Sequence, residues 1–301
     1  MNTSLAYLNG RFLPFADAAI PLHDAGFVSG ATVVDNARTF RHALFRWADH
    51  LARFRRDCEA CFVPLGATDG QLTTVAEELV AHNAKLLPPG GELQVVTFAT
   101  PGPLGFYTGD AADGPPTLGM VTYPLPFARY RRFFTEGVTL AAVGHQMGDD
   151  SCVLSPRTKH RSRMTWWVAD NLARRPPHPP GGVALLADGP GGSITETALA
   201  NFLCVIGGAV VVPPAGRVLD GISLRVTAEL CELPVREEPL PLARVPEMSE
   251  AMLTGTGFCV AGVRRIDRHE LPWPGPVFLK LLAAWSDLVG VDVAKQFTDA
   301  G

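Results

Sequence analysis

The sequence predicts an α+β fold built as two domains. Three observations predict it. Residues 1–123 mix strand-like runs with two long amphipathic helical stretches. Residues 124–136 are rich in Pro, Arg and aromatics, the composition of a connection. Residues 137–301 carry closely spaced apolar runs separated by turn residues, the pattern of an antiparallel meander or barrel. The expected organisation is a small α/β domain over 1–123, an interdomain connection over 124–136 and a larger domain over 137–301.

Each element has a local reason. Ala6–Leu8 and Arg11–Pro14 flank Asn9-Gly10, a dipeptide suited to a tight hairpin turn. Gly26 to Gly30 reads as a loop, and Val33–Thr39 and Ala43–Arg46 as strands around an Arg41-His42 turn. From Asp49 to Phe62, Leu51, Phe54, Cys58 and Cys61 recur at helical spacing, with Arg53, Arg55, Arg56 and Asp57 on more polar positions. Asp69 to Leu87 repeats that pattern with Leu72, Val75, Ala76, Leu79 and Val80 inward. Leu93–Ala99 and Thr117–Tyr123 are strands either side of the Gly- and Pro-rich loop Pro101–Pro116. In the second half, Val138–Val143 is a strand. Ser162 to Arg174 is a helix ended by the Pro- and Gly-rich stretch Pro176–Gly182. Val183–Ala187, Ser193–Thr197, Asn201–Ile206 and Ala209–Val212 are short strands. Ser223–Cys231 is a helix, Glu250–Leu253 and Cys259–Ile266 are strands around Thr254–Gly257, and Val277–Leu288 is a closing helix.

Composition excludes several functions. A formal net charge of −4 with no polybasic run argues against nucleic acid or an anionic membrane as partner. No apolar run is long enough to span a bilayer. The N-terminal segment lacks the features of a signal peptide, and 6 Cys without disulfide-like spacing point to a reducing cytoplasm.

A handful of residues form a set with chemical meaning. Lys159 lies in S-P-R-T-K-H-R-S-R-M. It is either a surface lysine in a basic turn or an amine with a depressed pKa that bonds a carbonyl compound. Glu196 lies in a half-buried strand, where a carboxylate is costly unless paired. It either faces outward or pairs with a cationic ring nitrogen. Gly221-Ile222-Ser223, at a helix start, and Gly255-Thr256-Gly257 offer free N–H groups to an anion, although Ser223 as an ordinary N-cap is the plainer alternative. Arg53, in H-L-A-R-F, is either one of three neighbouring surface arginines or a fork onto phosphate oxygens. Together these are the parts that hold a phosphorylated aldehyde cofactor.

The order of L-N-G-R-F, H-D-A-G-F-V-S-G, H-L-A-R-F, K-H-R-S-R-M, I-T-E-T-A-L-A-N-F, V-L-D-G-I-S and T-G-T-G resembles the class IV, fold-type IV, pyridoxal-phosphate enzymes along nearly the whole chain. That family includes branched-chain aminotransferases, D-amino-acid aminotransferases and aminodeoxychorismate lyase. The resemblance implies two α/β domains with pyridoxal 5′-phosphate between them, a larger cofactor-binding domain with a barrel-like core, and a homodimer. It implies that Lys159 is the Schiff-base lysine and proton shuttle and that Glu196 pairs with the pyridine nitrogen. Arg53, Ile222, Ser223 and Thr256 would hold the phosphate. The activity it implies is transfer of an amino group from an amino acid to a 2-oxo acid. The alternatives are an aminodeoxychorismate lyase releasing pyruvate and 4-aminobenzoate, and a non-catalytic relative that binds a metabolite.

The chain departs from the family where the substrate carboxylate is held. Met164 stands where branched-chain enzymes often have a Tyr, Val28-Ser29 replaces an aromatic, and Phe98–Gly102 contains no Arg. K-H-R-S-R-M lies close to the lyase pattern. Weak activity toward branched-chain L-amino acids is therefore expected, with Arg38 or Arg129 as substitute cations and Arg131, Arg132 and His145 as further candidates. Cys58-Glu-Ala-Cys61 reads as core packing rather than a metal or redox motif, and no metal site is expected. Asp188 and the glycines after it lack the order of a dinucleotide loop, and Trp166 and Trp167 read as core or interface.

Overall fold

The computed structural model describes residues 3–144, 153–178, 180–188 and 192–299. Two compact units divide the chain. The first holds residues 1–125 together with 158–162, and the second holds 126–157 and 163–301. The strip around Lys159 thus counts with the first unit, and the segment expected as a connection carries a helix of the second.

In the first unit the strands are β1 (Leu5–Leu8), β2 (Arg11–Pro14), β3 (Val33–Phe40), β4 (Ala43–Leu44), β5 (Leu93–Thr100) and β6 (Thr117–Pro124). The helices are α1 (Ala25–Val28), α2 (Trp47–Ala60) and α3 (Asp69–Asn83). The strands form one antiparallel sheet in the order β2-β1-β6-β5-β3-β4. Side chains alternate across it. Val33, Ala37, Val95 and Ala99 join Leu51, Phe54, Leu72, Ala76 and Leu79 of α2 and α3 in the main core. Val34, Val96 and Val121 point the other way, into a smaller cluster with Ala6. The tip of the Phe98 ring lies over Gly119, its partner on β6, where a Cβ would meet the ring at 2.3 Å. Helix α3 begins with a reciprocal cap. Thr68 Oγ1 accepts from Gln71 N at 3.3 Å and the Gln71 side chain accepts from Thr68 N at 2.8 Å. It ends at Asn83, short of the expected Leu87, and a 3-10 turn over Ala84–Leu86 follows.

The second unit opens with α4 (Phe127–Thr135) and β7 (Val138–Gly144). It continues with α5 (Met164–Ala173), β8 (Val183–Ala187), β9 (Ser193–Thr197), β10 (Asn201–Ile206), β11 (Ala209–Val212) and α6 (Ile222–Leu230). Then come β12 (Val235–Glu237), β13 (Leu240–Pro241), β14 (Glu250–Gly255), β15 (Cys259–Ile266), β16 (His269–Glu270), α7 (Pro276–Val289) and α8 (Val293–Thr298). Six of these strands close on themselves, β10-β14-β15-β7-β8-β9 and back to β10, through the pair Asn201 and Glu196. This is the expected barrel-like core, with parallel pairing confined to β15-β7 and β7-β8 within the ring. Helix α4 is there because Phe134 stacks on Phe297 of α8 at 4.5 Å, a contact 163 residues apart in sequence that composition alone does not announce. Helix α7 is capped by a buried carboxylate. Glu250 accepts from Val277 N and Phe278 N, each at 2.9 Å.

Candidate functional site

The candidate residues fall into two clusters, one in each unit. Arg38, Arg53 and Lys159 belong to the first, and Arg129, Glu196, Ile222, Ser223 and Thr256 to the second. His145 lies outside the described residues.

Lys159 sits on a short extended strip that adds to the edge of β3. Val34 N donates to Lys159 O at 3.0 Å and Arg161 N donates to Thr32 O at 2.9 Å. Between these bonds His160 pairs with Val33. On the other side Lys159 N donates to Asp57 Oδ2 of α2 at 2.9 Å. Both main-chain groups of the lysine are therefore fixed. The chain has four lysines, Lys85, Lys159, Lys280 and Lys295, and the other three are exposed while Lys159 is half-buried.

Beneath this strip lies a buried polar network that the sequence reading did not identify. Asp35 of β3 accepts from Arg53 Nε at 2.8 Å and from Arg53 Nη2 at 3.0 Å. It also accepts from His50 Nδ1 at 2.6 Å. All three side chains are buried. Arg53 is thus no surface arginine. It is gripped bidentately, which fixes the plane of its guanidinium. Asp57 lies one turn further along α2 and is also buried, with Arg56 Nη2 at 3.0 Å from its Oδ1. Residues 50, 53 and 57 recur at helical spacing, so the polar face of α2 is turned onto β3 beside the apolar one. An acid inside the run Val33–Phe40 was the signal available for this network.

The electrostatics follow from burial and pairing. Burial alone would raise the Asp35 pKa, but Arg53 and His50 outweigh it and hold the carboxyl far below the ordinary range. Burial pushes the His50 pKa down against the opposing pull of Asp35, whose carboxylate accepts the hydrogen bond from Nδ1. Burial raises the Asp57 pKa, opposed by the Lys159 N–H and by Arg56. These directions fix a pH dependence. The unfolded chain takes up a proton at His50 below its ordinary pKa of about 6.5 while the folded chain does not, so stability falls as pH drops through that value. Asp35 adds a loss of the same sign below about pH 4, whereas Asp57, whose pKa is raised, adds an opposing gain that sets in above about pH 4. Thermal melts at pH 7 and pH 5.5, conditions chosen to bracket the His50 step at about 6.5, should show a lower midpoint at the lower pH. A flatter dependence is expected in His50→Gln. An unchanged slope in that variant would remove His50 from the explanation.

In the second unit a carboxylate, an amide and a helix start are linked. Glu196 of β9 is buried, and its Oε2 accepts from Leu219 N at 3.0 Å and from Asn201 Nδ2 at 3.4 Å. Asn201 Nδ2 also donates to Leu219 O at 3.0 Å. The next turn passes so close that a Cβ on Gly221 would meet Asn201 Oδ1 at 1.9 Å, which only glycine allows. Gly221 is the N-cap of α6, so Ile222 and Ser223 are its first helical residues and Ser223 is not the cap. The middle of α6 is tied to the end of β14. Thr227 Oγ1 lies 3.0 Å from Thr254 Oγ1 and accepts from Trp285 Nε1 at 3.1 Å. Thr254 leads into the turn that contains Thr256. The free N–H groups at the start of α6 are a donor set suited to a phosphate, and α6 is bonded to the strand that leads to the half-buried Thr256.

The carboxylate candidates occupy different settings. Arg38 is buried in β3, with its guanidinium carbon 3.9 Å from the Phe40 ring centroid and Nε donating to Thr39 O at 3.2 Å. Arg129 is exposed on α4, 5.8 Å from the Tyr130 ring. Of the basic residues near Lys159, Arg157 lies 3.7 Å from Asp220, and Arg163 donates to Ala198 O and stacks 4.4 Å over Trp166. Cys58 is buried in the first core and its thiol is pushed up to about 12 by burial, which suits packing rather than thiolate chemistry. Trp166 packs against the core under α5 while Trp167 is exposed. Among the described residues no helix is long and apolar enough to cross a membrane, and no His, Cys, Asp or Glu cluster could hold a metal ion.

Comparison with known proteins finds one matching family and several similar folds. The profile of the family described as "Amino-transferase class IV" matches residues 32–266. A D-alanine aminotransferase of Staphylococcus haemolyticus is 24% identical over 273 residues, covering 88% of this chain and 90% of that protein. Among solved structures, the branched-chain amino acid aminotransferase from Escherichia coli superposes with a TM-score of 0.81 at 18% identity, over 95% of this chain and 94% of that one. The branched-chain aminotransferase from Thermoproteus uzoniensis with norvaline gives 0.80 at 18% identity, over 96% and 95%.

Proposed function

The chain belongs to the class IV aminotransferases, and from that membership we propose that it moves an amino group from an amino acid to a 2-oxo acid at Lys159, with pyridoxal 5′-phosphate as cofactor. The observation that carries this reading is the singular placement of Lys159. It is the one lysine of four that is not exposed, and both its main-chain groups are held, by Val34 and by Asp57. The family match does not favour the lyase or the non-catalytic alternative.

When bound, the cofactor supplies an aldehyde carbon that bonds nitrogen and a ring that accepts an electron pair. The residues of this chain supply the rest. Lys159 Nζ is the amine and the base that takes a proton from the donor's α-carbon and returns it. Glu196 is oriented by Leu219 N and Asn201, and its negative charge would keep a pyridine nitrogen protonated. The α6 start, with Ile222 and Ser223, and the Thr256 turn would take the phosphate, and Arg53, its plane set by Asp35, would add a cation to it. A homodimer belongs to the same reading. Exposed Met164, Trp167, Val168 and Leu172 form one stripe along α5 and suit a protein contact. A reducing, cytoplasmic setting belongs to the same reading, from the spacing of the 6 Cys in the sequence.

The test is a panel of L- and D-amino acids, aromatic amines and aminodeoxychorismate, with cofactor and a 2-oxo acid, followed by product analysis. Amino transfer from at least one amino acid is expected. Release of pyruvate from aminodeoxychorismate without transfer from any donor would establish the lyase instead. Within that assay Glu196→Gln should lower the chemical step by about 10²-fold, some 3 kcal/mol, and leave the fold intact. An effect confined to KM would show that Glu196 does not serve the ring nitrogen.

A further inference from the structure

The first unit contains a cavity on the sheet face away from α2 and α3, and one cation stands in its wall. Its volume is about 320 Å³. Val96 and Val121, members of the smaller core cluster, line it. Phe15, Phe98 and Tyr123 give it an aromatic wall, with Phe15 and Tyr123 meeting edge to face at 5.8 Å. Among the described residues Arg161 is the single charged one in the lining.

The pairing of the 159–161 strip explains why Arg161 is there. His160 lies opposite Val33, whose side chain enters the core under the helices. Neighbouring residues of an extended strip point to opposite faces, so Lys159 and Arg161 both leave on the Val34 side, the face that bears the cavity. They are spaced by about 6.6 Å along the strip. Arg161 is open to solvent yet flanked closely enough that desolvation lowers its pKa, with Tyr123 as the opposing influence. Among the described residues no carboxylate pairs with it. A cation in an apolar wall without an anion is the arrangement a carboxylate ligand completes.

We propose that Arg161 anchors the substrate's carboxylate, and that the cavity beside it takes an apolar, preferentially aromatic, body. This rests on the reading of Lys159 as the reacting amine and names the substrate class for it: monocarboxylic amino and oxo acids. With one cation in the lining, a second carboxylate on the substrate finds no partner there. Arg161 thus stands in for the family arginine missing from Phe98–Gly102, and it does so in place of Arg38, which stacks on Phe40, and Arg129, which lies in the other unit.

Calorimetric titration of the cofactor-loaded protein with 3-phenylpropionate and with its neutral amide, 3-phenylpropionamide, tests this. The wild type should bind the acid about tenfold or more tightly than the amide, the scale of one charge-assisted contact. Arg161→Gln should bind both equally, at the affinity of the amide, and Arg161→Lys should keep part of the preference. Because Arg161 is exposed, the Gln variant should melt with the wild type, and its melt is recorded alongside. Equal binding of acid and amide by the wild type, no binding of either, or a preference that survives in Arg161→Gln would each overturn the proposal. The two readings fail separately. Amino transfer that persists in Lys159→Ala, with the acid preference intact, removes the lysine assignment and leaves the anchor. In Arg161→Gln, a lost preference for the acid with ordinary transfer from an amine donor supports both, whereas equal binding of acid and amide by a wild type whose transfer is abolished in Lys159→Ala removes only the anchor.

Discussion

Lys159→Ala is expected to abolish amino transfer, with a fall in rate of about 10⁴-fold or more, because one side chain is asked to serve as both amine and proton carrier. No other lysine can take over. Lys280 is paired with Glu232 at 3.1 Å, Lys295 with Asp292 at 3.2 Å, and both are exposed, as is Lys85. The fold should survive, since the bonds from Lys159 N to Asp57 and from Val34 N to Lys159 O are made by the main chain. Initial rates at saturating donor, read beside a thermal melt, check both halves. A variant within about tenfold of wild type, or less than 1.4 kcal/mol in the barrier, would be incompatible with the role given to this lysine.

The second large effect is on stability. Arg53→Ala removes two hydrogen bonds from Asp35 and, among the described residues, leaves the buried carboxylate to His50. Breaking a buried ion pair from one side costs about 3–5 kcal/mol, since the remaining charge loses its partner and cannot reach water. A drop in melting temperature on the order of 10 °C is the expected reading. The double variant Arg53→Ala with Asp35→Asn should recover part of the loss, because the stranded charge goes with its partner. If the single variant melts with the wild type, the network does not support the first unit. Because Arg53 supports the fold through Asp35, cofactor retention in Arg53→Ala must be measured below the lowered melting point.

The sequence made much of the fold legible where a pattern is local. The strand expected over Val33–Thr39, the helical spacing of Leu51, Phe54 and Cys58, and the Asn9-Gly10 turn all correspond to elements of the structure. What it concealed is set by distant contacts. Helix α4 exists through Phe134 and Phe297, and ring closure through Asn201 and Glu196 depends on strands meeting around a barrel-like core. At the site, motif order was enough to single out Lys159, Glu196, Arg53 and the α6 start. It could not show that Asp35 and His50 grip Arg53, because a buried Asp in a strand and a His in a helix carry no mark of their pairing. Nor could it show that Arg161 points to the cavity face, since that depends on which residue of the strip lies opposite Val33. The departures at Met164 and Phe98–Gly102 signalled that a carboxylate partner was needed, without saying where.

The central claim is that Lys159 carries the cofactor. Purified protein loaded with pyridoxal 5′-phosphate, reduced with borohydride and digested, can be mapped by mass spectrometry. The four lysines fall far apart in sequence, at 85, 159, 280 and 295, so their peptides are readily separated. The expected result is a phosphopyridoxyl increment on the peptide containing Lys159, absent from Lys159→Ala. An increment on Lys85, Lys280 or Lys295 instead, or none at all in a protein that still transfers amino groups, would contradict it.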